Sequence, residues 1–107
     1  MLTTRFTKLI SCSIPIQQAG LGTLANPHLA AAVTNAGGLG MVSVTGGMPD
    51  DIAKWLDTAR EKTWGAVGAN FVIPLVDPAT LHKCVMAAAA RARVVDFFYA
   101  DPDPALV

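Results

Sequence analysis

The 107-residue sequence predicts an α/β fold built on a parallel sheet. Two observations carry this. Apolar strand-like runs start again roughly every 25–28 residues, each followed by a helix with one apolar face, which is the alternation of a parallel α/β sheet. The runs themselves are nearly continuous in apolar residues, as strands are when both faces of a sheet are covered.

Taken in order, Ser13–Gln18 is a short β-branched and polar run that serves as the first strand. Asn26–Ala36 follows as a helix with Leu29, Ala32, Val33 and Ala36 on one face. Asn26 suits its N-cap and Pro27 its first turn, and Gly37-Gly38 ends it, since glycine tolerates the left-handed C-cap. Leu39–Val44 is the second strand. After a Gly46-Gly47 turn, Pro49, Asp50 and Asp51 open a helix whose Ile52, Trp55, Leu56 and Ala59 share a stripe, with the acids near its positive end. Ala66–Ile73 is the third strand. Asp77-Pro78 starts a third helix with Leu81, Cys84, Val85 and Ala88 inward, and Val94–Tyr99 is the fourth strand. Asp101-Pro102-Asp103-Pro104 looks like the next loop, with a helix about to begin. The expectation is four parallel strands with three helices in one unit, without an internal linker.

Composition narrows the function. Eight basic residues balance eight acidic ones, so no basic stripe exists to follow phosphates and neither nucleic acid nor an anionic membrane is expected as a partner. No run approaches the ~18 apolar residues that would span a bilayer. Arg5 and Lys8 precede a short apolar stretch, but Ser11, Cys12, Ser13 and Pro15 interrupt it, which argues against a cleaved leader. Cys12 and Cys84 have neither metal nor redox spacing, so no metal site is expected, and reduced thiols in a cytoplasmic protein are the better reading.

The turn Gly20-Leu21-Gly22-Thr23-Leu24-Ala25 fits the dinucleotide fingerprint G-x-G-x-x-A. Against that reading, Pro27 opens the helix only after the glycines have passed, the second strand ends in Ser43-Val44-Thr45 without a carboxylate to hold a ribose, and Pro15, Gln17 and Gln18 interrupt the first strand.

A longer pattern outweighs this motif. Ile14-Pro15-Ile16-Gln17-Gln18-Ala19, followed by Asn26-Pro27-His28-Leu29 and the block Asn35-Ala36-Gly37-Gly38-Leu39-Gly40, closely resembles the opening of the nitronate monooxygenase (2-nitropropane dioxygenase-like) family. Thr4-Arg5-Phe6-Thr7, Gly68-Ala69-Asn70-Phe71-Val72-Ile73-Pro74 and Val95-Asp96-Phe97-Phe98 with Asp101-Pro102 are similar to that family in the same order. The resemblance implies a partial TIM (β/α)8 barrel, residues 1–107 being the N-terminal part of a flavin-binding barrel that is incomplete at its C-terminus. It also implies FMN as cofactor and the oxidation of alkyl nitronates with O2. Residue by residue, Ala19, Gly20 and Leu21 match the turn beside the flavin ring, where close backbone approach suits small residues, and Asn70 matches a flavin-contacting asparagine at a strand's C-terminal end. An amide that both donates and accepts suits a flavin edge. Gly20 and Leu21 stand where the family has proline and methionine, and the glycine loosens the turn by about 1 kcal/mol.

The family's catalytic histidine and phosphate loop match nothing in these residues. The chain is therefore expected to be inactive alone and to bind FMN weakly or not at all. Two alternatives share the same first half: a flavin-dependent enoyl reductase-like barrel, and a non-catalytic piece that self-associates through open sheet edges. His28 and His82 sit on outer helices and read as surface residues rather than bases. Cys84 and Trp55 read as core, Trp64 as a cover for the barrel bottom, and Asp101 and Asp103 as loop and cap residues.

Overall fold

The computed structural model describes residues 2–107. Its elements are α1 (Arg5–Ile10), α2 (Pro27–Asn35), β1 (Gly40–Ser43), α3 (Pro49–Glu61), β2 (Val67–Val72), α4 (Pro78–Ala89) and β3 (Val94–Phe98), with single 3-10 turns at Ile73–Leu75 and Pro104–Leu106. The strands form one parallel sheet in the order β1-β2-β3.

Three helices cover one face of this sheet. Val42, Val44, Val67, Ala69 and Phe71 meet Ala30, Ile52, Leu56, Ala59, Cys84, Val85 and Ala88 in the main core. The stripes expected on α3 and α4 are buried as predicted, with Trp55 and Leu81 partly exposed at the edges. Asp77 caps α4 by accepting from the Ala79 N–H at 3.0 Å. Asp51 accepts from the Met48 N–H at 3.0 Å and closes the first turn of α3.

The buried face of α2 is Ala30, Ala31 and Thr34, one step round from the expected Leu29, Ala32, Val33 and Ala36. The reason is distance. A Cβ on Gly40 would collide with the Ala30 backbone carbonyl, so α2 lies almost on β1 and only small residues fit between them. Leu29 is left 48% exposed. Thr34 uses the same closeness: its hydroxyl accepts from the Gly40 N–H at 3.0 Å and donates to the Ala66 carbonyl at 2.9 Å.

Two further expectations are corrected. Among the described residues there are four α-helices, because Thr4 and Thr7 form a reciprocal cap that starts α1, with bonds of 3.1 and 2.8 Å. Ile10 at its end packs on Leu39 and Met41 and closes the bottom of the sheet's second face. Among the described residues there are three strands, because the run Ser13–Gln18 pairs through a single parallel bridge between Gln17 and Leu39. Beyond that bridge, side-chain amides replace a strand along the edge of β1. Gln18 accepts from the Met41 N–H at 3.3 Å and donates to its carbonyl at 3.2 Å; Asn26 donates to the Met41 carbonyl at 3.0 Å and accepts from the Ser43 N–H at 2.9 Å. Asn26 is thus spent on β1, and although it stands at the N-cap of α2 it makes no side-chain capping bond.

Trp64 covers nothing: it is fully exposed, beside Arg60, Arg91 and Arg93 at the N-terminal ends of β2 and β3. Cys84 is buried and Cys12 half-buried, and both are free thiols. His28 and His82 are exposed. Asp103 accepts from the Ala105 N–H at 2.9 Å, as a cap. No helix among the described residues is long and apolar enough to cross a membrane.

Candidate functional site

Strand alternation gives the sheet a second face of different character. Register places Met41, Gly68 and Val94 side by side at its lower level, then Ser43, Asn70 and Asp96, then Val72 and Phe98 at the C-terminal ends. The lower level is apolar and tight, with the Met41 thioether filling the space a Cβ on Gly68 would need. The middle level is a polar row across all three strands.

That row is bonded from above by the chain before α2. The Leu21 N–H donates to the Ser43 hydroxyl. Asn70, 1% exposed, donates its Nδ2 to Asp96 Oδ1 at 2.6 Å, and Gln17 donates its Nε2 to Asp96 Oδ2 at 2.8 Å. Burial pushes the Asp96 carboxyl above its ordinary range, and the bonds from Asn70 and Gln17 offset part of that rise. The only two ion pairs among the described residues join Asp57 to Arg60 and Arg91, so Asp96 has amide partners and no cation.

Above the row lies an open cavity of about 290 Å³ lined by Ala19, Gly20, Gly22, Asn70, Val72, Phe98 and Tyr99. Gly20 rests directly on the Asn70 amide, and a Cβ there would overlap Asn70 Oδ1 and Cγ. The glycine that departs from the expected proline is therefore a close-contact requirement of this backbone as well as a source of freedom. Tyr99 closes the far side with φ 63°, a left-handed conformation costly for an aromatic residue. Its ring meets Phe98 edge to face at 5.4 Å.

Of the sequence-derived residues, Ala19, Gly20 and Asn70 converge on this cavity, whereas Leu21 is not part of its lining. Leu21 contributes through its backbone bond to Ser43 and leaves its side chain 43% exposed. Sequence reasoning missed Gln17, Asp96 and Tyr99. Gln17 and Asp96 are 79 residues apart, and only strand register brings them together. A carboxylate within an otherwise apolar strand was the signal available. Other hollows surround the exposed arginines and Trp64 at the opposite end of the strands, away from the amide row.

The cavity sits at the C-terminal ends of parallel strands, where barrel enzymes carry their sites. Comparison with known proteins gives the family and the fold. The sequence model of the nitronate monooxygenase family matches residues 3–105. A nitronate monooxygenase of Pseudomonas aeruginosa is 51% identical over 45 residues, 42% of this chain and 13% of that protein. A probable nitronate monooxygenase of Staphylococcus aureus is 33% identical over 70 residues, 65% of this chain and 20% of that one. The structure of FabK from Thermotoga maritima superposes with a TM-score of 0.84 at 34% identity, over 95% of this chain and 32% of FabK. The chain thus spans about a third of the length of that structure and matches a smaller share of the curated relatives. Its fold is a partial TIM barrel, with the helix-covered face outside and the polar row inside. The chain belongs to the nitronate monooxygenase family.

Proposed function

We propose that this chain supplies the first strands of an FMN-dependent oxidoreductase of the nitronate monooxygenase type, acting on alkyl nitronates with O2. One observation carries the reading: Ala19, Gly20 and Asn70, remote in sequence, line one cavity at the strand ends, with Gly20 bare against the Asn70 amide. A turn without a side chain beside a buried amide fits a flat heteroaromatic ring that needs backbone approach on one side and a hydrogen-bonding group at its edge.

Ala19, Gly20 and Asn70 would hold the ring, with Leu21 anchoring the turn through Ser43. When bound, the flavin would supply the electron transfer between nitronate and oxygen. The chain's own contribution is placement. The turn excludes water from one side, Asn70 bonds the ring edge, and Phe98 and Tyr99 provide an apolar wall for a small alkyl substrate. The lining contains no cation, so the FMN phosphate would be held by other groups and affinity through these residues alone would be weak.

The likeness to FabK supports a second reading, a flavin-dependent enoyl reductase-like barrel with the same ring-binding wall. NMR distinguishes the two. Titration with FMN is expected to perturb Ala19, Gly20, Gly22, Asn70 and Tyr99 weakly, and Gly20→Ala is expected to abolish these changes by displacing the Asn70 amide. A short alkyl nitronate added next should perturb Phe98 and Tyr99, while an enoyl thioester should not. Perturbation centred on Arg60, Arg91 and Arg93 instead, or unchanged binding by Gly20→Ala, would refute the proposed site.

A further inference from the structure

The amide row contains a device that the flavin reading does not use. An ionised carboxylate can only accept hydrogen bonds, whereas a primary amide has one donating end and one accepting end. Asp96 receives Asn70 on one oxygen and Gln17 on the other, at 2.6 and 2.8 Å. Both amides must therefore turn their nitrogen toward Asp96. For Asn70 this leaves Oδ1 as the free end; it lies beside Gly20 at the cavity wall, and among the described residues no group donates a hydrogen bond to it. Flipping the amide would set its carbonyl oxygen against a carboxylate oxygen, a buried repulsion with no compensating bond.

The geometry points to Asp96 as a positioning residue that locks the Asn70 amide with its oxygen toward the cavity, so that the site presents an acceptor and selects a ligand edge that offers a ring N–H. The acceptor orientation stands on the carboxylate chemistry alone; assigning that N–H to a flavin's imide edge rests on the function proposed above. Gln17 is held in the same sense, donating to the carboxylate, and ties the segment before the cavity turn to β3.

The groups that face Asp96 are these two amides, the neighbouring β2 strand and its own strand, and no lysine, arginine or histidine forms an ion pair with it among the described residues. The orientation can thus be read in the wild-type chain through one titration. In a ¹⁵N,¹³C-labelled sample the Asn70 side-chain NH2 protons are expected to shift with the same midpoint as the Asp96 carboxyl carbon. Asp96→Ala should remove that transition and speed exchange of those protons with water. Asp96→Asn, which keeps an accepting oxygen, should restore slow exchange without the transition.

A ligand arm uses lumiflavin against its N3-methyl derivative. The wild type should prefer the N–H form by about tenfold, the worth of one neutral hydrogen bond; Asp96→Ala should lose the preference, and Asp96→Asn, whose amide can also donate and so no longer fixes the direction of Asn70, should weaken it. An Asn70 NH2 pair indifferent to Asp96 ionisation, or equal discrimination in Asp96→Ala, overturns the proposal. If the Asn70 protons follow Asp96 but neither ring binds, the positioning role stands and the flavin reading is what fails.

Discussion

The two faces of this sheet are made from alternate residues of the same three strands, yet they are built to opposite rules. On the outer face, Val42, Ala69 and Phe71 are fully buried against three helices with no polar atom among them. On the inner face, residues one step along the same strands, Ser43, Asn70 and Asp96, form a row of hydrogen-bonding groups, held by Leu21 and Gln17 from above. The outer face follows close packing, where any apolar group of the right volume serves. The inner face follows complementarity of donors and acceptors, where each group fixes the direction of the next. Stability and chemistry are therefore separable along a single strand, one residue apart.

Substitutions can break or sharpen that division. Phe71→Ala should have the largest effect, a loss of about 3–5 kcal/mol in urea denaturation, because Phe71 is fully buried and stacks on Phe97 at 6.0 Å. A loss below about 1 kcal/mol would mean that the outer face does not carry the core. Asn26→Ala should cost about 2 kcal/mol despite removing little apolar surface, since it takes the buried Ser43 N–H's side-chain partner away and leaves the Met41 carbonyl with Gln18 alone on that side. Amide exchange at Ser43 should accelerate in step with this loss.

Asp96→Asn should have the smallest effect, and one that depends on pH. Because burial raises the Asp96 carboxyl from its ordinary value of 3.8, the folded chain keeps a proton that the unfolded chain has already released. The associated stability is complete below the ordinary value and is lost as pH rises through the folded one. Asp96→Asn does not ionise, so it should melt about 1–3 °C above the wild type at pH 7, with the difference closing toward pH 3. A wild type more stable than Asp96→Asn at neutral pH would show that the carboxylate is favoured by its partners rather than merely tolerated.

The outer face was readable in the sequence wherever long side chains fill it. Ile52, Leu56 and Ala59 of α3 and Cys84, Val85 and Ala88 of α4 recur at helical spacing and are buried accordingly. Helix α2 misled because its buried face is small: Leu29 and Val33 outweigh Ala30 and Ala31 in any hydrophobic pattern, and only the contact with Gly40 decides between them. The run 13–18 has the composition of a strand but pairs for a single bridge, because the Gln18 and Asn26 amides occupy the remaining positions along β1. Within the candidate site, the resemblance to a family named Ala19, Gly20 and Asn70, which line the cavity, and Leu21, which does not. Asp96 and Gln17 were not legible, since their roles exist only once register sets β2 beside β3 and the first segment crosses above them.

The amide clasp along β1 also makes growth of the sheet directional. Backbone groups on that side are already bonded to glutamine and asparagine side chains, so an incoming strand would have to displace four hydrogen bonds before forming its own. Among the described residues, no side-chain amide bonds the backbone on the outward side of β3 in this way. A further parallel strand, whether contributed by the same polypeptide or by another molecule, would meet a receptive template there, and sheet extension past β3 would displace no such clasp.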